Sequence, residues 1–218
     1  MLKTSNFPIT EIVDKNSLRN GAELFSKKIA FVKGVVEVKG LPLGNKIEVC
    51  FAGRSNVGKS SLINALTSRQ SLARKSRIPG RTQEINFFSL AETYYLVDLP
   101  GYGYARAPIN QVKRWQALLR SYLKGRASLR RVFLLIDSRH GIKPPDEEII
   151  ALLNKVAVTF QVVFTKSDKV GSDTFKQIVD RTRKQLDTQP AAYPEILVTS
   201  SVKKAGVDFL RAKIADIN

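Results

Sequence analysis

Gly53-Arg54-Ser55-Asn56-Val57-Gly58-Lys59-Ser60 sets two glycines around four residues and follows them with Lys and Ser. That order suits a loop whose backbone N–H groups point at phosphate oxygens. Lys59 supplies a cation for the outer phosphates, and Ser60 a hydroxyl for Mg²⁺. A helix starting here would aim its positive end at the same anion. The flanks agree. Ile47-Glu48-Val49-Cys50-Phe51-Ala52 reads as a strand, and Ser61-Leu62-Ile63-Asn64-Ala65-Leu66 as a helix. A glycine turn beside a surface lysine is the plainer alternative.

Further sets of residues carry related chemistry. Asp98-Leu99-Pro100-Gly101 follows the apolar run Tyr94-Tyr95-Leu96-Val97. An Asp at such a strand end can hold a Mg²⁺ shell, and Gly101 can offer its N–H to a γ-phosphate. A plain Pro-Gly turn would look the same. Thr165-Lys166-Ser167-Asp168 ends the run Gln161-Val162-Val163-Phe164. A carboxylate here can accept from guanine N1–H and its 2-amino group, donors that adenine does not present together. The Lys166 stem can cover the flat base. A solvated Lys/Asp turn is the alternative. Thr199-Ser200-Ser201 closes Glu195-Ile196-Leu197-Val198 and could give backbone N–H groups to the guanine carbonyl. Each set sits at or beyond the carboxyl end of an expected strand, where open α/β sheets bind ligands. Their order favours one guanine-nucleotide site over several coincidences.

The elements needed to position them alternate. Strands are expected near 31–38, 47–52, 84–90, 93–98, 131–137, 160–165 and 195–199. Helices are expected near 59–68, 109–124, 145–156, 172–187 and 206–216. Trp115 shares a helix face with Leu118, Leu119 and Tyr122, and is expected in the core. The fold class is α/β: a P-loop NTPase three-layer sandwich with a mostly parallel, doubly wound sheet and one antiparallel edge. The expected hairpin of 84–90 with 93–98 makes that edge.

The chain resembles the EngB (YihA/YsxC) family of bacterial ribosome-assembly GTPases, in the TrmE-Era-EngA-EngB-Septin-like superfamily. The resemblance rests on Gly53 to Ser61, Pro79-Gly80-Arg81-Thr82-Gln83, Asp98-Leu99-Pro100-Gly101-Tyr102-Gly103-Tyr104-Ala105, Thr165 to Asp168 and Thr199 to Ser201, within roughly residues 22–217. Lys113-Arg114-Trp115 also matches. The resemblance implies nucleotide contacts at Gly53, Arg54, Ser55, Asn56, Val57, Gly58, Lys59, Ser60 and Ser61. It implies others at Gly80, Arg81, Thr82, Gln83, Glu84, Asp98, Leu99, Pro100 and Gly101. Thr165, Lys166, Ser167, Asp168, Thr199, Ser200 and Ser201 complete the set. It further implies work on the large ribosomal subunit and its RNA, with a link to cell division and septation. The corresponding organisation is an N-terminal extension, 1–28, and a G domain, 29–218.

Composition is compatible with that picture. The 218 residues and 24.3 kDa can bury one full core. Net charge is +17 and pI about 10.1, a field that favours polyanions. The basic residues cluster at Arg69, Arg74, Lys75, Arg77 and Arg81, then at Lys113, Arg114, Arg120, Lys124, Arg126, Arg130 and Arg131. Cys50 is the sole cysteine, which excludes an internal disulfide and suits a small buried residue. His140, also alone, lies in a polar turn. No apolar run reaches spanning length and no signal-peptide core is seen, so the cytoplasm without membrane contact is expected; a monomer is expected as well.

The motifs imply a mechanism. Mg²⁺ is held by Ser60, Asp98 and, in the GTP state, Thr82, while Lys59, Thr82 and Gly101 act at the phosphates. Loops 70–84 and 101–110 are then nucleotide-dependent switches. Tyr102 stands where many small GTPases carry a water-orienting glutamine, so slow basal turnover is expected. Asn56 resembles its counterpart in potassium-activated GTPases, which makes K⁺ a candidate cofactor; a loop-capping role is the alternative. At the level of function, the alternative is an RNA-binding assembly protein whose nucleotide site is structural or hydrolytically idle.

Overall fold

The computed structural model describes residues 7–69, 71–73, 84–103 and 109–218, with side chains of 109–115 left aside. Seven strands form one sheet in the order β1-β3-β4-β2-β5-β6-β7. They are β1 Ile29–Val35, β2 Ile47–Gly53, β3 Ile85–Leu90, β4 Tyr94–Asp98, β5 Leu129–Asp137, β6 Phe160–Thr165 and β7 Leu197–Val198. β2 pairs in parallel with both β4 and β5, and the parallel run continues through β6 to β7. β3 pairs antiparallel with both β1 and β4.

Alternation along the central strands builds two cores. Cys50, Ala52, Leu134, Ile136, Val162 and Phe164 face one side. There they meet α3 (Ile109–Gly125), α4 (Pro144–Lys155) and α5 (Ser172–Leu186). Val49, Phe51, Phe133, Leu135 and Val163 face the other side. They meet α1 (Lys15–Ser26), α2 (Lys59–Leu66) and α6 (Val207–Ala215). The expected three-layer α/β sandwich is therefore present.

Three details differ from the sequence reading. The antiparallel part is wider than a hairpin, because β1 pairs outside β3 and becomes the edge itself. The last expected strand shrinks to Leu197–Val198, and beyond it the N-terminal segment takes over the pairing. Thr10 N–H donates to Ile196 O, and Ile196 N–H donates to Pro8 O, both at 2.9 Å. Helix α1 was not expected. Asp14 caps it by accepting from Asn16 and Ser17 N–H, and Leu24 and Phe25 bury its inner face beside α6. Trp115 lies outside the described side chains.

A buried carboxylate fixes the far end of the site's framework. Glu48, with no exposed surface, accepts from Arg126 at 2.5 Å, Tyr122 at 2.7 Å and Ser128 at 3.0 Å. Several donors offset the cost of burying that charge. The network ties the carboxyl end of α3 to the start of β2. Cys50 is buried as expected, and burial pushes its thiol well above the usual value.

Candidate functional site

The loop after β2 is shaped by its two glycines. A Cβ on Gly53 would come within 2.7 Å of Val57 Cγ1, and Gly58 has φ +107°, a conformation that disfavours other residues. Gly58 caps α2, so the helix begins at Lys59 and carries Lys59, Ser60 and Ser61 in its first turn. Val57 is buried, whereas Arg54, Ser55, Gly58, Lys59, Ser60 and Ser61 are half-buried. Asn56 is exposed with φ 64°.

β4 delivers Asp98 to this loop, where its carboxylate forms an ion pair with the Lys59 ammonium. Leu99 and Pro100 then turn into the core, so their side chains line a small apolar cavity with Ala52 and Tyr102. Only their backbone is left for a ligand. Gly101 lies over the loop: a Cβ there would be 3.2 Å from Ser55 Cα. Tyr102 locks this crossing, because Ser55 N–H donates to Tyr102 O at 2.9 Å.

The Tyr102 side chain points away from the loop. Its hydroxyl donates to Asp146 Oδ1 at 2.7 Å, and Asp146 Oδ2 accepts from Lys143 N–H at the start of α4. Burial pushes the Tyr102 phenol well up, and the adjacent Asp146 charge adds to it. Burial also raises Asp146, against the bonds from Tyr102 and Lys143 N–H. Arg54 Nε is buried near this pair without a hydrogen-bond partner among the described residues.

β6 brings the second group. Thr165 Oγ1 donates to Val57 O at 2.7 Å, which welds this strand end to the phosphate loop. Lys166, in the left-handed region at φ 57°, donates from Nζ to Asn56 O at 2.6 Å. The same ammonium donates to Asp137 Oδ2 at 2.9 Å. Asp137 was not singled out from the sequence. It ends β5 and also accepts from Arg139 N, Nε and Nη2. Burial pushes the Asp137 carboxyl up, but the Arg139 and Lys166 bonds outweigh it and leave its pKa lowered. Ending a strand in Asp, as β4 does, was the signal available for it.

β7 brings the third group. Thr199 is fully buried, and its Oγ1 donates to Phe164 O at 2.8 Å. Ser167 N–H donates to Thr199 O at 3.2 Å. Ser200 donates its hydroxyl to Asp168 Oδ1 at 2.5 Å and accepts from Lys203 N–H. The Ser200 bond, first among the causes, lowers the exposed Asp168 carboxyl. Ser200 thus holds Asp168 with its side chain, where the sequence suggested only backbone contacts. Ser201 is half-buried in the following turn.

Glu84 stands just before β3, with a carboxylate oxygen 2.2 Å from where a Gly34 Cβ would lie. Gly80, Arg81, Thr82 and Gln83 fall outside the described residues, as does most of the expected first switch. The remaining motifs converge on one end of the sheet.

A family model described as 50S ribosome-binding GTPase matches residues 48–166. A "Probable GTP-binding protein EngB" from Jannaschia sp. is 59% identical over 216 residues, covering 99% of each chain. One of the same name from Roseobacter denitrificans is 57% identical over 211 residues, covering 97% of this chain and 98% of that one. Among solved structures, a probable GTP-binding protein engB has a TM-score of 0.63 at 22% identity and covers 77% of this chain and 96% of that one. Era with MgGDPNP and nucleotides 1506–1542 of 16S ribosomal RNA has a TM-score of 0.61 at 23% identity. It covers 79% of this chain and 57% of that one. These two structures match in fold. Sequence relatives of such identity across nearly the whole chain, on a P-loop sheet of this topology, make the chain a GTPase that belongs to the EngB family of GTP-binding proteins.

Proposed function

We propose that this GTPase is a switch that assists assembly of the large ribosomal subunit in the cytoplasm, with ribosomal RNA as its partner. The observation that carries the nucleotide chemistry is the bridge from Lys166 to both Asn56 O and Asp137. It joins the phosphate-loop end and the base-reading end into one continuous site. The description of the matching family model supports the ribosomal partner. An N-terminal extension, 1–28, and a G domain, 29–218, are the proposed organisation, and the proposed protein is a monomer. A part in cell division and septation follows from the family resemblance.

In this reading the loop N–H groups and Lys59 bind the phosphates, and Gly101 N–H faces the γ-phosphate. Thr82 senses that phosphate from the first switch. Asp168 accepts from guanine N1–H and the 2-amino group, held in place by Ser200. The Lys166 stem covers the base while its ammonium keeps the base loop against Asn56. Ser60 and Asp98 offer hard oxygen donors beside Lys59, and no cluster of three His, Cys, Asp or Glu suited to another metal occurs among the described residues. That donor set fits Mg²⁺, which takes few protein ligands and completes its shell with phosphate and water. Bound there, Mg²⁺ would neutralise charge developing on the phosphates. K⁺ at Asn56 is the proposed source of further charge.

GTP hydrolysis measured with and without precursor large subunits tests this, with Lys59→Ala as the inactive control. The expected result is slow basal turnover that rises with precursor particles. Turnover indifferent to precursor and mature subunits alike would reject the assembly role while leaving the GTPase intact.

A further inference from the structure

The positive charge is not spread evenly. Between residues 49 and 136 stand fifteen Lys and Arg against three acidic residues, Glu84, Glu92 and Asp98. That stretch carries an excess of twelve out of the net +17, whereas 137–218 is close to balanced. Helices show the contrast. α5 interleaves Asp173 and Asp180 with its basic residues, and Asp180 pairs with Arg183. α3 has no acidic residue anywhere in Ile109–Gly125. Solvated helix faces ordinarily mix signs, since like charges one turn apart destabilise the helix.

On α3, Leu118, Leu119, Tyr122 and Leu123 are buried, which leaves Arg120 and Lys124 one turn apart on the exposed side. Arg130 is exposed where β5 begins, just beyond the helix. Lys39, also exposed, belongs to the short 3₁₀ turn Val38–Gly40 that packs on α3. Of the acids near this face, Glu37 is exposed at the start of that turn, and Glu48 is buried and already engaged by Arg126. It also fixes the carboxyl end of α3, so this face is held rigidly.

We propose that Arg120, Lys124, Arg130 and Lys39 form a docking face for the phosphate backbone of structured RNA. The occupant follows from charge complementarity: a face of four cations with one exposed acid, Glu37, at its edge matches a regular polyanion. The face rests on the RNA-directed reading above. It goes beyond that reading by locating the contact on the carboxyl half of α3, clear of the nucleotide-site residues.

Two triple variants with the same change in net charge test it. Arg120→Gln/Lys124→Gln/Arg130→Gln alters the face. Lys155→Gln/Lys176→Gln/Lys184→Gln alters exposed lysines on α4 and α5. Binding is measured to a structured fragment of large-subunit ribosomal RNA across a salt series, with phosphatidylglycerol vesicles as a second polyanion. GDP affinity reports folding. The expected result is roughly a tenfold or greater loss of RNA affinity for the face variant at ~0.1 M salt. Its salt slope should fall by about 2–3, and the control should stay near wild type. Equal losses in both variants would reduce the effect to net charge and overturn the face. Full binding by the face variant would place the RNA elsewhere and overturn the face alone. A wild type that ignores RNA, or that binds only vesicles, would overturn the face and the RNA reading together.

Discussion

The Tyr102 hydroxyl donates to Asp146 Oδ1 at 2.7 Å, in a pair whose two members are 4% and 1% exposed. The residue after Asp-x-x-Gly therefore faces α4 rather than the phosphate loop. Its backbone meanwhile holds the loop through Ser55. Tyr102 is thus a clamp between the two glycine-bearing motifs, and another group must position the attacking water.

Tyr102→Phe should cost about 1–3 kcal/mol in urea unfolding, because a buried carboxylate loses a donor. Without that donor the Asp146 pKa, already raised by burial, should rise further, a change readable by carboxyl NMR. Turnover at saturating GTP should stay within about twofold of wild type if the hydroxyl is remote from the chemistry. A tenfold fall in turnover with stability unchanged would put the phenol in the reaction instead.

Ser200 and Asp168 make the next prediction, since their 2.5 Å bond fixes the carboxylate proposed to read the base. Ser200→Ala should weaken GTP and GDP alike by about tenfold, the scale of a hydrogen bond to a charged group. Asp168→Asn should lose more, and should shift preference towards xanthosine triphosphate, whose carbonyl replaces the 2-amino donor. Calorimetry with both nucleotides decides it. A folded Asp168→Asn with wild-type GTP affinity would remove Asp168 from the site.

Asp137 provides a pH signature. Its folded-state pKa is lowered, so the stability it adds is full above its unfolded value, about 3.9, and drains as pH falls towards the folded value. The loss for one such group is about 1.4 kcal/mol per pH unit within that window. Asp137→Asn should therefore be destabilised at pH 7 and lie closer to wild type at pH 3. Denaturant curves at both values test it. A gap that widens in acid would contradict the assignment of the Arg139 and Lys166 bonds as its cause. The variant should also weaken nucleotide binding, since Lys166 loses one of its two anchors.

Strands and motifs were legible because each announces itself locally. β2 and β6 are mostly apolar, broken only by the buried Glu48 and Gln161, and end at the proposed site residues, as strands buried on both faces should. What escaped depended on tertiary contact. Helix α1 carries a good cap in Asp14, but Gly21 interrupts its apolar face and lowers its helix propensity. In the fold that glycine is what lets the helix sit down: a Cβ on Gly21 would lie 2.5 Å from Ala212 N of α6. Gly21→Ala should consequently destabilise the protein despite the better helix former, by about 1–3 kcal/mol as in overpacked cores. Thermal unfolding measures it; a gain in stability would mean that the α1–α6 contact is loose. The inward turn of Tyr102 was equally invisible, because an aromatic residue after a Pro-Gly turn is compatible with either direction.

The proposed potassium effect turns on Asn56. Its carbonyl is already taken by the Lys166 ammonium at 2.6 Å, so an added cation would have to use other oxygens, the Asn56 side chain first among them. The residue sits at φ 64°, where alanine would be strained but glycine would not. Asn56→Gly therefore deletes the side chain without disturbing the loop. Wild-type turnover should be several-fold faster in KCl than in NaCl at equal ionic strength. Asn56→Gly should lose that difference while keeping GDP affinity within about threefold, since the Lys166 bond is to backbone. Equal wild-type rates in the two salts would remove the cation and leave the ribosomal particle to supply the missing charge. A potassium response that survives in Asn56→Gly would keep the cation and move it away from this side chain.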